Sequence, residues 1–158
     1  MHVMGVDIET YSDVDLKEAG VYAYAESPAF EILLIGYQID NGPVQVIDLA
    51  LGGEPYREFM SALTNPEYIK TAYNANFERT CLAAYFKKPM PPGQWRCTAV
   101  LAATLGLPGT LEAVGAALGL PEDKQKDKIG KSLIQYFCKP CRATKANGGR
   151  TRNLPADA

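Results

Sequence analysis

The sequence predicts an α/β domain built on a mixed β-sheet with helices packed against it. Three observations predict this class. A β-rich run opens the chain at 2–8, two more β-rich runs at 31–39 and 44–50 flank a turn signal, and helical and strand patterns then alternate. A hairpin followed by alternating elements is typical of a sheet with both antiparallel and parallel strand pairs. We expect strand 1 at the centre and the hairpin strands antiparallel.

Turn signals delimit the first elements. Residues 13–20 (DVDLKEAG) predict one short helical turn that ends at Gly20, because glycine accepts the left-handed backbone that follows a helix. The two hairpin strands are separated by Asp40-Asn41-Gly42-Pro43. Asn-Gly favours a hairpin turn because both residues accept positive φ.

The following patterns are mainly helical, with one further strand. Apolar residues at helical spacing predict a helix over 54–64. Residues 68–73 predict a strand and residues 77–86 a helix, which Asn74 or Asn76 would cap. The other expected segments are an irregular linker over 88–93, helices over 98–105, 110–118 and 129–137, and a charged surface segment over 122–128.

Composition limits the class of protein. The 158 residues are 47% hydrophobic and 22% charged, as in one globular domain with a core. We expect no membrane span, because no apolar run reaches about 18 residues. The acidic start MHVMGVDIE does not resemble a secretory signal. Four cysteines are too few for a disulfide framework, so we expect reduced thiols and a cytoplasmic protein.

Charge is distributed unevenly along the chain. Residues 1–121 hold 7 Lys+Arg and 14 Asp+Glu, a net −7, and residues 122–158 hold 9 and 4, a net +5. Hydrophobic residues nearly vanish from 139 onward, so we expect a domain over 1–138 and a basic, flexible tail over 139–158. An acidic body with a basic stretch fits a metal-dependent enzyme acting on an anionic polymer. Composition by itself favours a merely solvated tail.

The first candidate site is Asp7-Ile8-Glu9-Thr10 at the end of strand 1. Residues i and i+2 of a strand share a face, so Asp7 and Glu9 would project side by side while Ile8 enters the core. Adjacent carboxylates repel each other, and a divalent cation such as Mg²⁺ or Mn²⁺ relieves that repulsion. The alternative is a strand end that enters solvent, where acids carry little cost.

The second candidate site is Asn74-Ala75-Asn76-Phe77-Glu78, where a predicted strand passes into a helix. Active-site groups of α/β folds gather at such strand ends. Glu78 would lie in the first helical turn, a position that the helix dipole favours for any acid. The two candidate sites together would bring three carboxylates near the ends of neighbouring strands.

These two segments resemble motifs of a known family. Val6-Asp7-Ile8-Glu9-Thr10 resembles the D-x-E motif of the DEDD-type 3′–5′ exonucleases, and Asn74-Ala75-Asn76-Phe77-Glu78 resembles their second motif, whose usual acid is Asp. Longer stretches resemble the proofreading exonuclease region of phage-type family A DNA polymerases. They are DIETYSDVDLKEAGVYAYAESPAFEILLIGY, YNANFERTCL, QWRCTAVLAATLGLPGTLEAVGAALGL and GKSLIQYFCKP.

The resemblance implies a ribonuclease H-like fold and two-metal hydrolysis of phosphodiesters at the 3′ end of single-stranded DNA. The metals would be Mg²⁺ or Mn²⁺ held by Asp7, Glu9 and Glu78, with Asp7 bridging both ions. Contacts to the terminal nucleotide would come from the chain around Thr10 and Tyr11 and from Asn74. The resemblance also implies a downstream polymerase domain and a phage or prophage protein in a bacterial host.

One departure concerns the third family motif, Y-x-x-x-D or H-x-x-x-x-D, which does not follow Glu78. Asp157 is the only acid of the tail and has no preceding Tyr or His at that spacing. We therefore expect a fragment truncated before this motif, with weak or no exonuclease activity. The alternative is a catalytically silent DNA-binding or structural module of a DNA polymerase. Cys138-x-x-Cys141 could be half a zinc site, but no second Cys or His pair follows.

Overall fold

The computed structural model describes residues 1–121 and 128–155. Most of the charged segment predicted over 122–128, and Asp157, lie outside the described residues. The strands and helices are β1 (His2–Tyr11), α1 (Leu16–Glu26), β2 (Glu31–Ile39), β3 (Gln45–Asp48), α2 (Arg57–Thr64), β4 (Tyr68–Ala72), α3 (Asn76–Phe86), β5 (Trp95–Cys97), α4 (Thr98–Thr104), α5 (Leu111–Ala117) and α6 (Lys128–Phe137).

Within the described residues, five strands form one mixed sheet in the order β3-β2-β1-β4-β5. The β1–β2 and β2–β3 pairs are antiparallel, and the β1–β4 and β4–β5 pairs are parallel. The predicted central strand 1 and antiparallel hairpin are therefore confirmed. The sequence did not predict β5, because a three-residue strand is too short to show a period-2 pattern.

The core lies between one face of the sheet and helices α1 to α3. Met4, Ile35, Phe59 and Leu82 are 0% exposed, and they belong to one continuous apolar cluster. Burying a side chain of this size stabilises the fold by about 1.5–3 kcal/mol. This packing fixes the position of β1 relative to α3, and these two elements carry the candidate motifs.

A β-bulge interrupts the β1–β2 ladder beside the first motif. Glu9 pairs with Leu34 but Thr10 pairs with Ile32, so Leu33 is the extra residue. The carbonyl of Leu33 accepts hydrogen bonds from the backbone N–H groups that follow β3, at 2.9 and 3.1 Å. Bulges redirect side chains and are common next to active sites. Here the bulge places two consecutive residues of β2 in buried positions.

The hairpin turn differs from its prediction. Positive φ occurs at Asp40 (50°) rather than at Asn41 or Gly42, so the expected Asn-Gly conformation was wrong although the hairpin forms. The physical reason is the Asp40 side chain. Its carboxylate accepts hydrogen bonds from the Val3 backbone N–H at 2.9 Å and pairs with His2 Nδ1 at 2.7 Å.

Residues 139–155 form a loop that contacts the body of the protein. The Arg152 guanidinium pairs with Glu31 at 2.7 Å and lies 4.3 Å from the centre of the Tyr11 ring. Asn153 donates to the backbone carbonyl of Tyr136 at 2.9 Å. The domain boundary after residue 138 and the flexibility of the tail stay predictions. In the part of the chain that the structure describes, no helix combines the length and apolar character needed to cross a membrane.

Helix α1 changes direction at Gly20, where φ is 79° and ψ is 167°. The predicted end of the first helical turn at this glycine is confirmed. The sequence pattern missed that the chain then becomes helical again and buries Tyr24 and Ala25 against the core.

We predict that Gly20→Ala destabilises the chain by about 1–3 kcal/mol, because this backbone region is nearly restricted to glycine. Urea unfolding measures the change. The control is Gly93→Ala, at a glycine without positive φ and with open space around its Cβ position. Equal midpoints for the two variants would contradict the prediction.

Candidate active site

The carboxylates of the first motif share one face of β1. Ile8 is 6% exposed and belongs to the core, whereas Asp7 is exposed and Glu9 is half-buried. Residues two apart on a strand are separated by about 7 Å between Cα atoms. The sequence-predicted alternation, with Ile8 inward and its two acidic neighbours outward, is therefore present in the structure.

The carboxyl group of Glu78 is buried at the start of α3. The residue is 4% exposed, and its Oε2 atom has no hydrogen-bond partner among the described residues. Burial raises the pKa of Glu78 to about 8; its own backbone N–H opposes the shift, and the charges of Asp7 and Cys97 add to it. The fold thus brings the two motifs close enough for the charge of Asp7 to act on Glu78.

Glu9 has a different neighbour, the thiol of Cys138 at the end of α6. The Sγ atom donates to Glu9 Oε2 at 3.8 Å. Burial, with a further contribution from the charge of Glu9, raises the pKa of Cys138 to about 12, so the thiol is neutral at pH 7. Nothing in the sequence indicated this contact, because the two residues are 129 positions apart.

The donor chemistry at Asp7 and Glu78 suits a hard divalent cation. A buried carboxylate oxygen that lacks a partner, beside a second carboxylate, is stabilised in its charged form by Mg²⁺ or Mn²⁺. Over residues 1–121 and 128–155, however, no group of three His, Cys, Asp or Glu side chains is close enough to hold an ion. The three-carboxylate ligand set therefore stays a prediction.

The residues expected to contact substrate occupy different environments. Thr10 is buried, and its hydroxyl pairs with the hydroxyl of Tyr24 at 2.9 Å. Tyr11 is 4% exposed and lies under Arg152. Asn74 is exposed on the turn between β4 and α3. In this arrangement only the Asn74 side chain faces solvent, and the roles of all three stay predictions.

The turn before α3 is built differently from the expected cap. The N-cap residue is Ala75, with no side-chain capping bond, so the predicted cap by Asn74 or Asn76 was wrong. Asn74 instead takes a left-handed backbone with φ of 69°, which Asn tolerates better than most residues. The Asn76 Oδ1 atom accepts from Arg79 at 3.0 Å. The turn therefore positions Glu78 through backbone geometry.

Cys97, which the sequence predicted only as a packed apolar residue, is half-buried at the end of β5. Burial would raise its pKa, but the backbone N–H groups of Val100, Ala75, Asn74 and Ala99 outweigh burial and lower the pKa of the thiol. Cys141 has separate partners, Asn147 Nδ2 and Asn153 Oδ1, both at 3.4 Å. It is not part of any metal-ligand cluster among the described residues.

A cleft of about 440 Å³ opens beside Glu9, which is within the range of small-ligand sites. We call it the Glu9 cleft. Its polar and aromatic lining includes Glu9, Asp13, Asp15, Lys17, Tyr24, Phe77, Cys138 and Lys139. A more apolar cleft of about 390 Å³ lies across α6 and shares Glu9 and Cys138 with it.

Comparison with known proteins gives one close relative. The chain is 59% identical over 155 residues to the DNA polymerase of Bacillus phage SP02, a match that covers 98% of the chain and 24% of that polymerase. The chain therefore spans about a quarter of the length of the curated relative it matches. No protein-family model matches the chain.

Solved structures with the same fold include the apo form of a nuclease, with a TM-score of 0.55 at 18% identity, covering 82% of this chain and 56% of that nuclease. Brucella melitensis NrnC bound to pGG has a TM-score of 0.55 at 17% identity, covering 80% of this chain and 55% of NrnC. NrnC with bound Mg²⁺ has a TM-score of 0.55 at 16% identity, covering 85% and 63%. A structure of the yeast NOT1 MIF4G domain with CAF1 has a TM-score of 0.52 at 12% identity, covering 84% and 75%. The predicted ribonuclease H-like α/β fold is confirmed.

We predict that the buried Glu78 carboxyl makes stability fall as pH rises. Its folded-state pKa, about 8, lies above the ordinary 4.5, so in this interval the folded chain holds a proton that the unfolded chain releases. The stabilisation is complete below pH 4.5 and is lost through pH 8. Each unit of pKa shift corresponds to about 1.4 kcal/mol.

Urea unfolding in a chelating buffer across this pH range tests the prediction. The expected result is a flatter profile for Glu78→Gln than for the wild type. The matched control, Glu67→Gln, removes an exposed carboxylate that precedes β4, and should keep the wild-type slope. Parallel profiles for the wild type and Glu78→Gln would refute the assignment of the shift to Glu78.

Proposed function

We propose that the chain is the 3′–5′ exonuclease-like domain of a DNA polymerase and hydrolyses phosphodiesters at the 3′ ends of single-stranded DNA. The observation that carries the proposal is the buried Glu78 carboxyl, whose Oε2 has no hydrogen-bond partner among the described residues and whose pKa is raised by burial and, to a smaller extent, by the charge of Asp7. The identity to a phage DNA polymerase supports the class of parent protein. A ribonuclease H-like fold is compatible with this chemistry.

In this proposal Asp7, Glu9 and Glu78 are the residues that would hold Mg²⁺ or Mn²⁺. Bound divalent cations would supply an activated water and neutralise charge on the scissile phosphate and the leaving oxygen. The Glu9 cleft would receive the terminal nucleotide, with Asn74 and the chain around Thr10 and Tyr11 as its contacts. Such a reaction depends on positioning and charge neutralisation rather than on a protein nucleophile.

The second candidate function is a catalytically silent DNA-binding or structural module of the polymerase. The observation that favours it is the Cys138 thiol, which contacts Glu9, an expected metal ligand. The described residues also lack a cluster of three ligands. We accordingly propose weak rather than efficient hydrolysis for this chain.

The match to a phage DNA polymerase also supports a proposal about the full-length protein. We propose that a polymerase domain lies downstream in the full-length protein, as the match to a quarter of a phage polymerase suggests. The setting would be the cytoplasm of a bacterial host that carries a phage or prophage.

The proposal predicts that Mn²⁺ binds the purified chain and supports shortening of 5′-labelled single-stranded DNA from its 3′ end. Asp7→Ala and Glu78→Gln should each lower the rate by about 100-fold or more, since loss of several kcal/mol of charge stabilisation has that effect. Titration calorimetry measures binding, and denaturing gels measure shortening. Glu67→Gln is the matched control and should behave as the wild type.

The outcomes separate the two candidate functions. Shortening of DNA by Asp7→Ala at the wild-type rate would contradict the assignment of the active site to Asp7. An absence of both Mn²⁺ binding and shortening would favour the silent module. Mn²⁺ binding that is lost in Asp7→Ala and Glu78→Gln, without measurable shortening, would retain the metal site and reject the hydrolysis.

A further inference from the structure

The strongest unassigned feature is a positively charged loop beside the candidate active site. Residues 139–155, here called the basic loop, contain five Lys or Arg residues and no Asp or Glu. The residues before it carry most of the acidic groups, with a net charge of −7 over 1–121. A surface of opposite sign next to a group of carboxylates needs an explanation that the proposed chemistry does not supply.

The basic loop is organised around a buried asparagine. Asn147 is 7% exposed; its Nδ2 donates to the carbonyl of Arg142 at 3.0 Å, and its Oδ1 accepts from the Thr144 backbone N–H at 2.9 Å. Backbone bonds from Gly149 to Thr144 and from Cys141 to Thr151, both 2.8 Å, close the loop. These hydrogen bonds connect the beginning of the loop to its end.

Both ends of the basic loop are attached to β1. Cys138, which precedes the loop, contacts Glu9, and Arg152 near its end covers Tyr11 and pairs with Glu31. Lys139 lines the Glu9 cleft. The loop therefore begins at the cleft that would receive the 3′ end of DNA in the proposed function.

The charges on the outer part of the loop are available to a ligand. Arg142 and Lys145 are exposed, and neither forms an ion pair within residues 1–121 and 128–155. Arg152, by contrast, is used internally in its pair with Glu31. Arg152 thus anchors the loop to the body of the protein, whereas Arg142 and Lys145 face solvent.

We propose that the basic loop is a docking surface for the phosphate backbone of single-stranded DNA. Arg142 and Lys145 contact the phosphates, and Lys139 guides the strand toward the Glu9 cleft. This inference rests on the proposed function for its choice of DNA. The physical need is clear, because carboxylates repel a polyanion and positive side chains offset that repulsion. Backbone contacts of this kind give affinity without sequence preference.

The test measures binding without catalysis. A fluorescent oligothymidylate of about 12 nucleotides, a length within the range of single-strand binding sites, is titrated with the chain in chelating buffer at several salt concentrations. Arg142→Gln/Lys145→Gln should bind about tenfold more weakly at low salt. The slope of log K against log salt should become shallower by about 1.4, since each of the two single-strand phosphate contacts contributes about 0.7.

The matched control removes two positive charges elsewhere. Lys87 and Lys88 are exposed at the C-terminal end of α3, the opposite end of that helix from Glu78. Lys87→Gln/Lys88→Gln should change the affinity by less than about twofold and leave the salt slope unchanged. Equal weakening by both pairs would show an effect of net charge alone and would overturn the proposal, as would unchanged binding by the loop pair.

The design separates this inference from the proposed function. Loop-dependent binding by a chain that does not shorten DNA in Mn²⁺ would support the docking surface and reject the exonuclease. If the chain shortens DNA but Arg142→Gln/Lys145→Gln binds the oligonucleotide as tightly as the wild type, the exonuclease is supported and the docking surface is rejected.

Discussion

The electrostatic cost of burying Glu78 near Asp7 is the constraint on which the site depends. Burial penalises the charged carboxylate, and the charge of a second acid increases the penalty. The folded chain can avoid this cost by keeping a proton on Glu78 or by binding a cation. The two are alternatives, because one carboxylate oxygen cannot hold both the proton and the cation. Metal binding would therefore release a proton near neutral pH, so that affinity for the cation rises with pH while the stability of the metal-free chain falls.

The sheet fixes the positions of the acids that create this constraint. β1 is hydrogen-bonded on both sides, to β2 and to β4, and the residues that alternate with Asp7 and Glu9 are packed into the core. A rotation that moved the acids apart would expose Val6 and Ile8, each worth about 1.5–3 kcal/mol when buried. The backbone turn before α3 likewise holds Glu78 without help from side-chain caps. Apolar packing thus stabilises an arrangement that electrostatics opposes.

Local patterns predicted most of the fold, whereas long-range contacts determined what was missed. Strand 1, the hairpin and the stop at Gly20 follow from alternation and turn residues within a few positions. The side chain of Asp40, which has positive φ, contacts His2, 38 residues earlier, and the thiol that contacts Glu9 belongs to a residue 129 positions later. The guanidinium of Arg152 covers the ring of buried Tyr11. The spacing of residues in the sequence predicted the candidate acids and their shared face of β1. It contains no information about partners that come from distant parts of the chain.

Cys138 connects the acidic site to the basic loop, and its chemistry limits what the site can do. A carboxylate at this position would add a further negative charge beside Glu9 and strengthen the demand for a cation. A neutral thiol does the reverse, since it donates to Glu9 and reduces the local repulsion in the absence of metal. Cys138 also immediately precedes the basic loop, whose exposed Arg142 and Lys145 are the proposed phosphate contacts. Under the proposed function, a neutral donor at the acids and positive charge outside them would favour retention of a nucleic-acid strand over its rapid hydrolysis.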